Sequence, residues 1–291
     1  MDPVSTAALG AASKALSDSS AEGTKVAANL ITRLFGPSAD VIGENWADRL
    51  REGNLRRLLA KTEAREAAAS ARGEDPGFAS TRVASQVFES AQFTDAAVVS
   101  EYLSGVLSSS RSPSGHDDAG VAWTSVVSRL SSDQLRLHYA IYASLRPLVL
   151  ADPPERVSSL HSRDVVLDLR ELRQLSAEDD YERFADAVDG LVRENLIDGH
   201  YSYGPREKVF EQELQHNNVA FLSAFVIKTA LTVHGIRLFL WGNGSGRLGV
   251  DAYADPNVDL SAVDPDEMPS LVDAAFSDRI LSIRSPEQSF G

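Results

Sequence analysis

The chain has 291 residues, of which 43% are hydrophobic and 24% charged, the balance of a folded globular protein and a length that suits about two domains. It contains no cysteine, which excludes disulfides, thiolate nucleophiles and cysteine-held zinc or iron–sulfur sites and fits a reducing compartment. The formal net charge of −14 is uneven: residues 1–150 hold 15 Lys and Arg against 17 Asp and Glu, which from totals of 28 and 42 leaves 13 against 25 for residues 151–291. A surface that acidic repels phosphate backbones, so nucleic acid is a disfavoured partner.

Met1-Asp2-Pro3-Val4 lacks the charged start and apolar run of a secretory signal, so a cytoplasmic location is expected. Residues 1–38 form an Ala/Ser-rich amphipathic segment. Within it Val26, Leu30, Ile31 and Leu34 share one helical stripe that Gly36-Pro37 stops. Two basic residues are few for a membrane-surface helix, so packing against the rest of the protein or a second copy is the preferred reading, with membrane contact the weaker alternative.

A helical domain is expected over residues 39–151. Ser38-Ala39-Asp40 caps a long helix that should reach Ala71, with Ile42, Trp46, Leu50, Leu55, Leu58 and Leu59 on its apolar side. Its polar side interleaves Arg49, Arg51, Arg56, Arg57, Lys61 and Arg65 with acids such as Glu52, placed to pair at i, i+4. A solvated, salt-bridged face is the plain reading. The sharper one makes Arg49, Arg56, Arg57 and Lys61 the candidate partner-binding residues, docking an acidic partner or the acidic second half of this chain.

Helices are then predicted from about Ser80 to Ser90 and from Thr94-Asp95, the latter a core element through Val98, Val99, Tyr102, Leu103, Val106 and Leu107. Ser108 to Gly120, rich in Ser and Gly and carrying His116-Asp117-Asp118, reads as an exposed, mobile loop. Trp123, Val126, Val127 and Leu130 mark another helix. Ser131-Ser132-Asp133 caps the next, where His138 reads as a packed histidine, and Asp152-Pro153-Pro154 ends it.

The second half is expected to be α+β: a winged-helix-like acidic module over 155–250, then an acidic, Pro-containing tail over 251–291. Val165-Val166-Leu167-Asp168-Leu169 fits a strand or a helix equally. Phe184, Val188, Leu191 and Val192 mark a helix from Tyr181 to Glu194, and Leu196 to Tyr203 reads as a short strand and turn. Residues 219–241 approach the length of a membrane span, but Lys228, His234 and Arg237 lie inside them and each charge costs about 2.5–3.5 kcal/mol at mid-bilayer. One or two buried strands to about Leu231, then a Thr232-capped helix through Leu240, are the expectation. A short helix is predicted around Leu271 to Phe276.

No signature of chemistry emerges. Gly242 to Gly249 lacks the order of a phosphate-binding loop, no serine sits in G-x-S-x-G, and Glu211, Glu213, His216 and His200 form no zinc-binding pattern. Catalytic, cofactor-binding and metal residues are each expected to be none. The acids of the helix at 181–190 stand where phosphate contacts would want Lys or Arg, so the module is read as binding protein.

Three segments in order, IGENWADRLREGNLRRLLAKTEA (42–64), TDAAVVSEYLSGVLSSS (94–110) and WTSVVSRLSSDQLRLHYAI (123–141), resemble the Abi-alpha family, a bacterial domain associated with abortive infection. Arg51–Asn54, Asp95–Ser109 and Leu130–Asp133 correspond to elements of that pattern, as do FADAVDGLVRENLI (184–197) and LTVHGIRLFL (231–240), so the similarity spans about residues 25–240. The resemblance implies a bacterial anti-phage role in which infection triggers growth arrest or death of the host cell. It carries no mechanism. A non-enzymatic protein acting through protein–protein interaction or oligomerisation is therefore expected, with a winged-helix transcriptional regulator or a membrane-acting effector as the alternatives.

Overall fold

The structure, a computed structural model, describes Thr32 and residues 53–73, 77–92, 94, 96–175, 181–210 and 224–278. It is mainly helical, with a two-stranded ribbon and a four-stranded antiparallel sheet. Two compact units emerge: residues 1–132 with 240–248 and 259–268 make the first, and 133–239 with 249–258 and 269–291 the second. Two pieces of the acidic second half, 240–248 and 259–268, belong to the first unit.

The first unit begins with α1 (Gly53–Ala71), β1 (Phe78–Ala79), α2 (Thr81–Gln92) and α3 (Ala97–Ser109). Of the long helix expected from residue 40, the part before Gly53 lies outside the described residues, as does the helix expected at 25–35 apart from Thr32, which is helical. Leu55, Leu58 and Leu59 of α1 are wholly buried, as are Val83, Ala84 and Val87 of α2. α3 is buried almost all round, including Ser100, Glu101 and Ser104, as a helix at the centre of a unit must be. Its Gly105 is required by close approach: a Cβ there would lie 1.8 Å from the carbonyl oxygen of Gly242.

β2 (Arg111–Ser112) pairs antiparallel with β1, and α4 (Gly120–Arg129) follows. Here the expectation of an exposed loop over 108–120 is corrected. Ser109 to Ser112 are buried: the Arg111 guanidinium donates to the Gly77 carbonyl at 2.8 Å, and Ser109 Oγ to that of Trp241. Only the stretch from Pro113 to Ala119 lies toward solvent, with Asp117 held by Arg247 and Asp118 by Arg82. Trp123 of α4 stacks on Trp241 with centroids 5.8 Å apart.

A buried ion cluster joins the pieces of this unit. Glu101 is 1% exposed, and its carboxylate receives Lys61 Nζ at 3.0 Å, the Arg65 guanidinium and the backbone N–H of Val263. Lys61 also meets Glu267 at 3.2 Å. Arg65, one turn along α1, donates to the carbonyls of Asn243 and Gly242, where a helix leaves unsatisfied oxygens and partial negative charge.

The second unit starts with α5, which spans Ser132–Ala151, followed by β3 (Asp164–Asp168) and α6 (Leu169–Gln174). The strand-or-helix ambiguity at 165–169 resolves as both in succession. Val165, Val166 and Leu167 are fully buried in β3. Asp168 then ends the strand and caps α6, its carboxylate accepting from the N–H groups of Arg170 and Glu171.

α7 (Tyr181–Arg193) closes at Asn195, whose φ of 55° permits the Leu196 N–H to reach back to Leu191 O at 2.8 Å. β4 (Ser202–Pro205), α8 (Arg206–Val209), β5 (Phe225–Ala230) and α9 (Val233–Gly242) follow. Thr232 Oγ accepts from the Gly235 N–H at 2.9 Å, the capping bond its position in the sequence implied.

Sheet order is β4-β5-β3-β6, antiparallel throughout, with β6 being Ala274–Phe276. The helix expected near 271–276 is therefore corrected to an edge strand. β6 pairs with the side of β3 opposite β5, and Val165 faces Phe276 across the ladder. Phe276 is buried beneath the Arg163 guanidinium, 3.6 Å from its ring centre, while Leu271 is 59% exposed, so these apolar residues share no helical stripe.

Breaking a buried ion pair by removing one partner costs about 3–5 kcal/mol. Glu101→Gln is therefore expected to lower unfolding free energy by about that amount in urea titration. A cost under about 1 kcal/mol, the level of exposed pairs, would show that the cluster is solvated.

Candidate functional site

Three of the four candidate partner-binding residues, Arg56, Arg57 and Lys61, lie on α1. Arg49 lies outside the described residues, Arg56 and Arg57 are half-buried, and Lys61 is only 4% exposed. Lys61 binds Glu267 from the acidic tail, within the first unit. Its charge is thereby spent on holding the chain's own segments together.

Of the groups with acid–base potential, His138 is wholly buried in the second unit. Its Nε2–H donates to the Gly235 carbonyl at 3.1 Å, and its ring lies 4.5 Å from that of Tyr142. Burial pushes its pKa down to about 3. Tyr142 in turn donates to Leu196 O and accepts from the Thr232 N–H, while Tyr253 donates to the Tyr142 carbonyl. These bonds tie α5 to both ends of the α7–β5–α9 region, so His138 is the packed histidine its spacing suggested. His116 is exposed, and its neighbours Asp117 and Asp118 are engaged by arginines. His200 is exposed beside Asp198, and Glu211, Glu213 and His216 lie outside the described residues. Among the described residues no group of three or more His, Asp and Glu is placed to hold a metal ion.

A different surface stands out in the second unit. Helical spacing turns Phe184, Ala187, Val188 and Leu191 of α7 inward. It leaves Tyr181, Glu182, Asp186, Asp189 and Arg193 exposed, Tyr181 at 46%. Beside this helix, Tyr201 and Tyr203 lie two residues apart in extended chain, an interval that puts both rings on one side. They stack with centroids 6.0 Å apart. Tyr203 meets Tyr181 edge-on at 5.7 Å and Phe184 at 6.2 Å. The Tyr201 hydroxyl donates to the Asp189 carboxylate.

Both phenols are held in their neutral form. The hydrogen bond to Asp189, aided by burial and that carboxylate's charge, raises Tyr201 to about 12. A hydrogen bond to Tyr181, with burial and neighbouring charge, raises Tyr203 to about 12. The cations nearby are mostly committed: Arg183 pairs with Asp133, and Arg173 lies over the Tyr181 ring at 5.4 Å. Arg193 closes the helix. The result is a fixed aromatic cluster bordered by carboxylates. Its sequence signal was the Tyr201-Ser202-Tyr203 alternation. Only the packing of that strand on α7 adds Tyr181 and Asp189.

No family model, curated protein or solved structure matches the chain. Among the described residues no helix is long and apolar enough to cross a membrane.

The buried His138 gives a pH test. Below about pH 6.5 the unfolded chain takes up a proton there that the folded chain refuses until about pH 3. Stability therefore falls as pH drops through that window, by about 1.4 kcal/mol per pH unit for this group. His138→Gln should show a shallower loss of urea-unfolding free energy between about pH 7 and pH 5 than the parent chain. Equal slopes would contradict a buried neutral imidazole.

Proposed function

We propose that this chain is a non-enzymatic interaction protein of the cytoplasm, acting in abortive-infection-type defence, and that its second unit is a winged-helix-like module that recognises protein rather than nucleic acid. The defence setting rests on the resemblance of its helix order to the Abi-alpha family. Support for the winged-helix-like arrangement comes from chain order, α5–β3–α6–α7–β4–α8–β5, and from β5 lying between β4 and β3 in the sheet.

The observation that carries the choice of partner is the outward side of α7. In a nucleic-acid reader of this topology that helix presents Lys and Arg to phosphates and base edges. Here it presents Tyr181, Glu182, Asp186 and Asp189, with Arg193 in its last turn as the one exposed cation, and the excess of like charge repels the phosphate backbone. Aromatic residues in an exposed cluster are instead the usual anchors of protein interfaces.

The test uses point substitutions, because cutting the chain at residue 155 would also remove residues 240–248 and 259–268 from the first unit. Cells expressing the full chain are expected to survive phage challenge as a population. Cells expressing Asp186→Arg with Asp189→Arg at equal protein level are expected to lose that protection. Unchanged protection would remove this surface from the mechanism. In gel shifts, duplex DNA should not bind. Binding that weakens steeply with salt would favour the transcriptional-regulator reading instead.

A further inference from the structure

Building on the proposed protein-interaction role of the α7–β4 side, we infer that the cluster of Tyr181, Tyr201 and Tyr203, bordered by Asp186 and Asp189, docks a lysine- and arginine-rich segment of a protein partner.

Three observations converge on that chemistry. The first is the aromatic surface. Tyr181 is 46% exposed and Tyr201 and Tyr203 half-buried, their rings within 6.0 Å of one another in sequence Tyr181–Tyr203–Tyr201. Rings fixed by packing lose little side-chain freedom when a partner lands on them. Their faces carry the negative part of the ring quadrupole and attract Lys and Arg.

The second is charge. Asp186 and Asp189 are exposed on the same side of α7, one turn apart. Asp189 is additionally fixed by the Tyr201 hydroxyl. A carboxylate row beside aromatic faces complements a cationic chain and rejects an acidic one. Neutral phenols near physiological pH, with pKa raised to about 12 for Tyr201 and Tyr203, keep the ring faces available without adding titrating charge.

The third is that the chain already uses this mode of contact here. The Arg173 guanidinium lies 5.4 Å from the Tyr181 ring centre, and in the same unit Arg170 lies 4.8 Å from that of Phe225. A guanidinium from a partner would meet the same chemistry on Tyr203 and Tyr201, with Asp189 and Asp186 to accept its hydrogen bonds.

The experiment measures fluorescence anisotropy of a labelled Lys/Arg-rich peptide titrated with the full chain, beside a Glu/Asp-rich peptide of equal length. The basic peptide is expected to bind and the acidic one not. Tyr181→Ala, and separately Asp186→Asn with Asp189→Asn, should each weaken binding by about tenfold or more, equivalent to about 1.4 kcal/mol. Both leave buried residues untouched, and unchanged circular dichroism verifies the fold. Absence of binding to the basic peptide overturns the inference, and so does binding that these variants leave unaltered. Sedimentation of the parent and variant chains supplies the remaining outcome: a dimer that the same substitutions dissociate assigns the surface to a second copy and also overturns it. Should Asp186→Arg with Asp189→Arg abolish phage protection while the basic peptide fails to bind, the interaction role stands and only the partner's chemistry falls. Should neither change, both fall.

Discussion

A carboxylate shut away from water must be met by donors, and the first unit is arranged around that requirement at Glu101. Lys61 and Arg65 lie one turn apart on α1 and both reach it, while the Val263 N–H adds a third donor. An apolar residue at 101 would impose no such order, but an ion needs its partners in place, which fixes the rotation of α1 and the path of residues 259–268. Arg65 extends the constraint to the carbonyls of residues 242 and 243, and the Gly105–Gly242 approach leaves no room for another register.

The second unit obeys the same rule with neutral groups. His138, Tyr142, Thr232 and Tyr253 each spend their polar atoms on backbone groups of neighbouring elements. Groups that in another protein would supply acid–base chemistry are thus engaged in joining segments far apart in the chain. What remains at the surface of this unit is a different kind of resource: rings held rigid, with carboxylates at their border. Rigid aromatic area favours recognition because it is apolar, polarisable and already ordered. The acidic balance of the second half surrounds that area with a field that attracts cations.

Much of the helical part was legible because its apolar residues keep a 3.6-residue period, as at Val98, Tyr102 and Val106 or at Leu135, Tyr139 and Tyr142. The Thr232 cap was legible for a local reason too, since a hydroxyl before an apolar run satisfies a nearby N–H. Other features depend on partners distant in the chain. Lys61 and Arg65 read as a solvated face because nothing local reveals Glu101, 36 residues beyond Arg65. β3 escaped assignment because all three central residues are buried, which erases alternation. β6 exists only through its register with β3. Likewise Tyr201 and Tyr203 carry a visible alternation, but their meeting with Tyr181 and Asp189 is a product of the fold.

Polar groups inside the two units are engaged in holding the fold, and the recognition role we propose lies on the tyrosine side of α7 and β4. Hydroxyl-radical footprinting of the full chain, alone and with a saturating Lys/Arg-rich peptide, tests this most directly. Ready oxidation of Tyr181 and little at the buried Tyr102, Tyr142 and Tyr253 is expected in the free protein, with peptide-dependent protection concentrated at Tyr181, Tyr201 and Tyr203. Protection elsewhere with these three unchanged, or a Tyr181 as unreactive as the buried tyrosines, would contradict it.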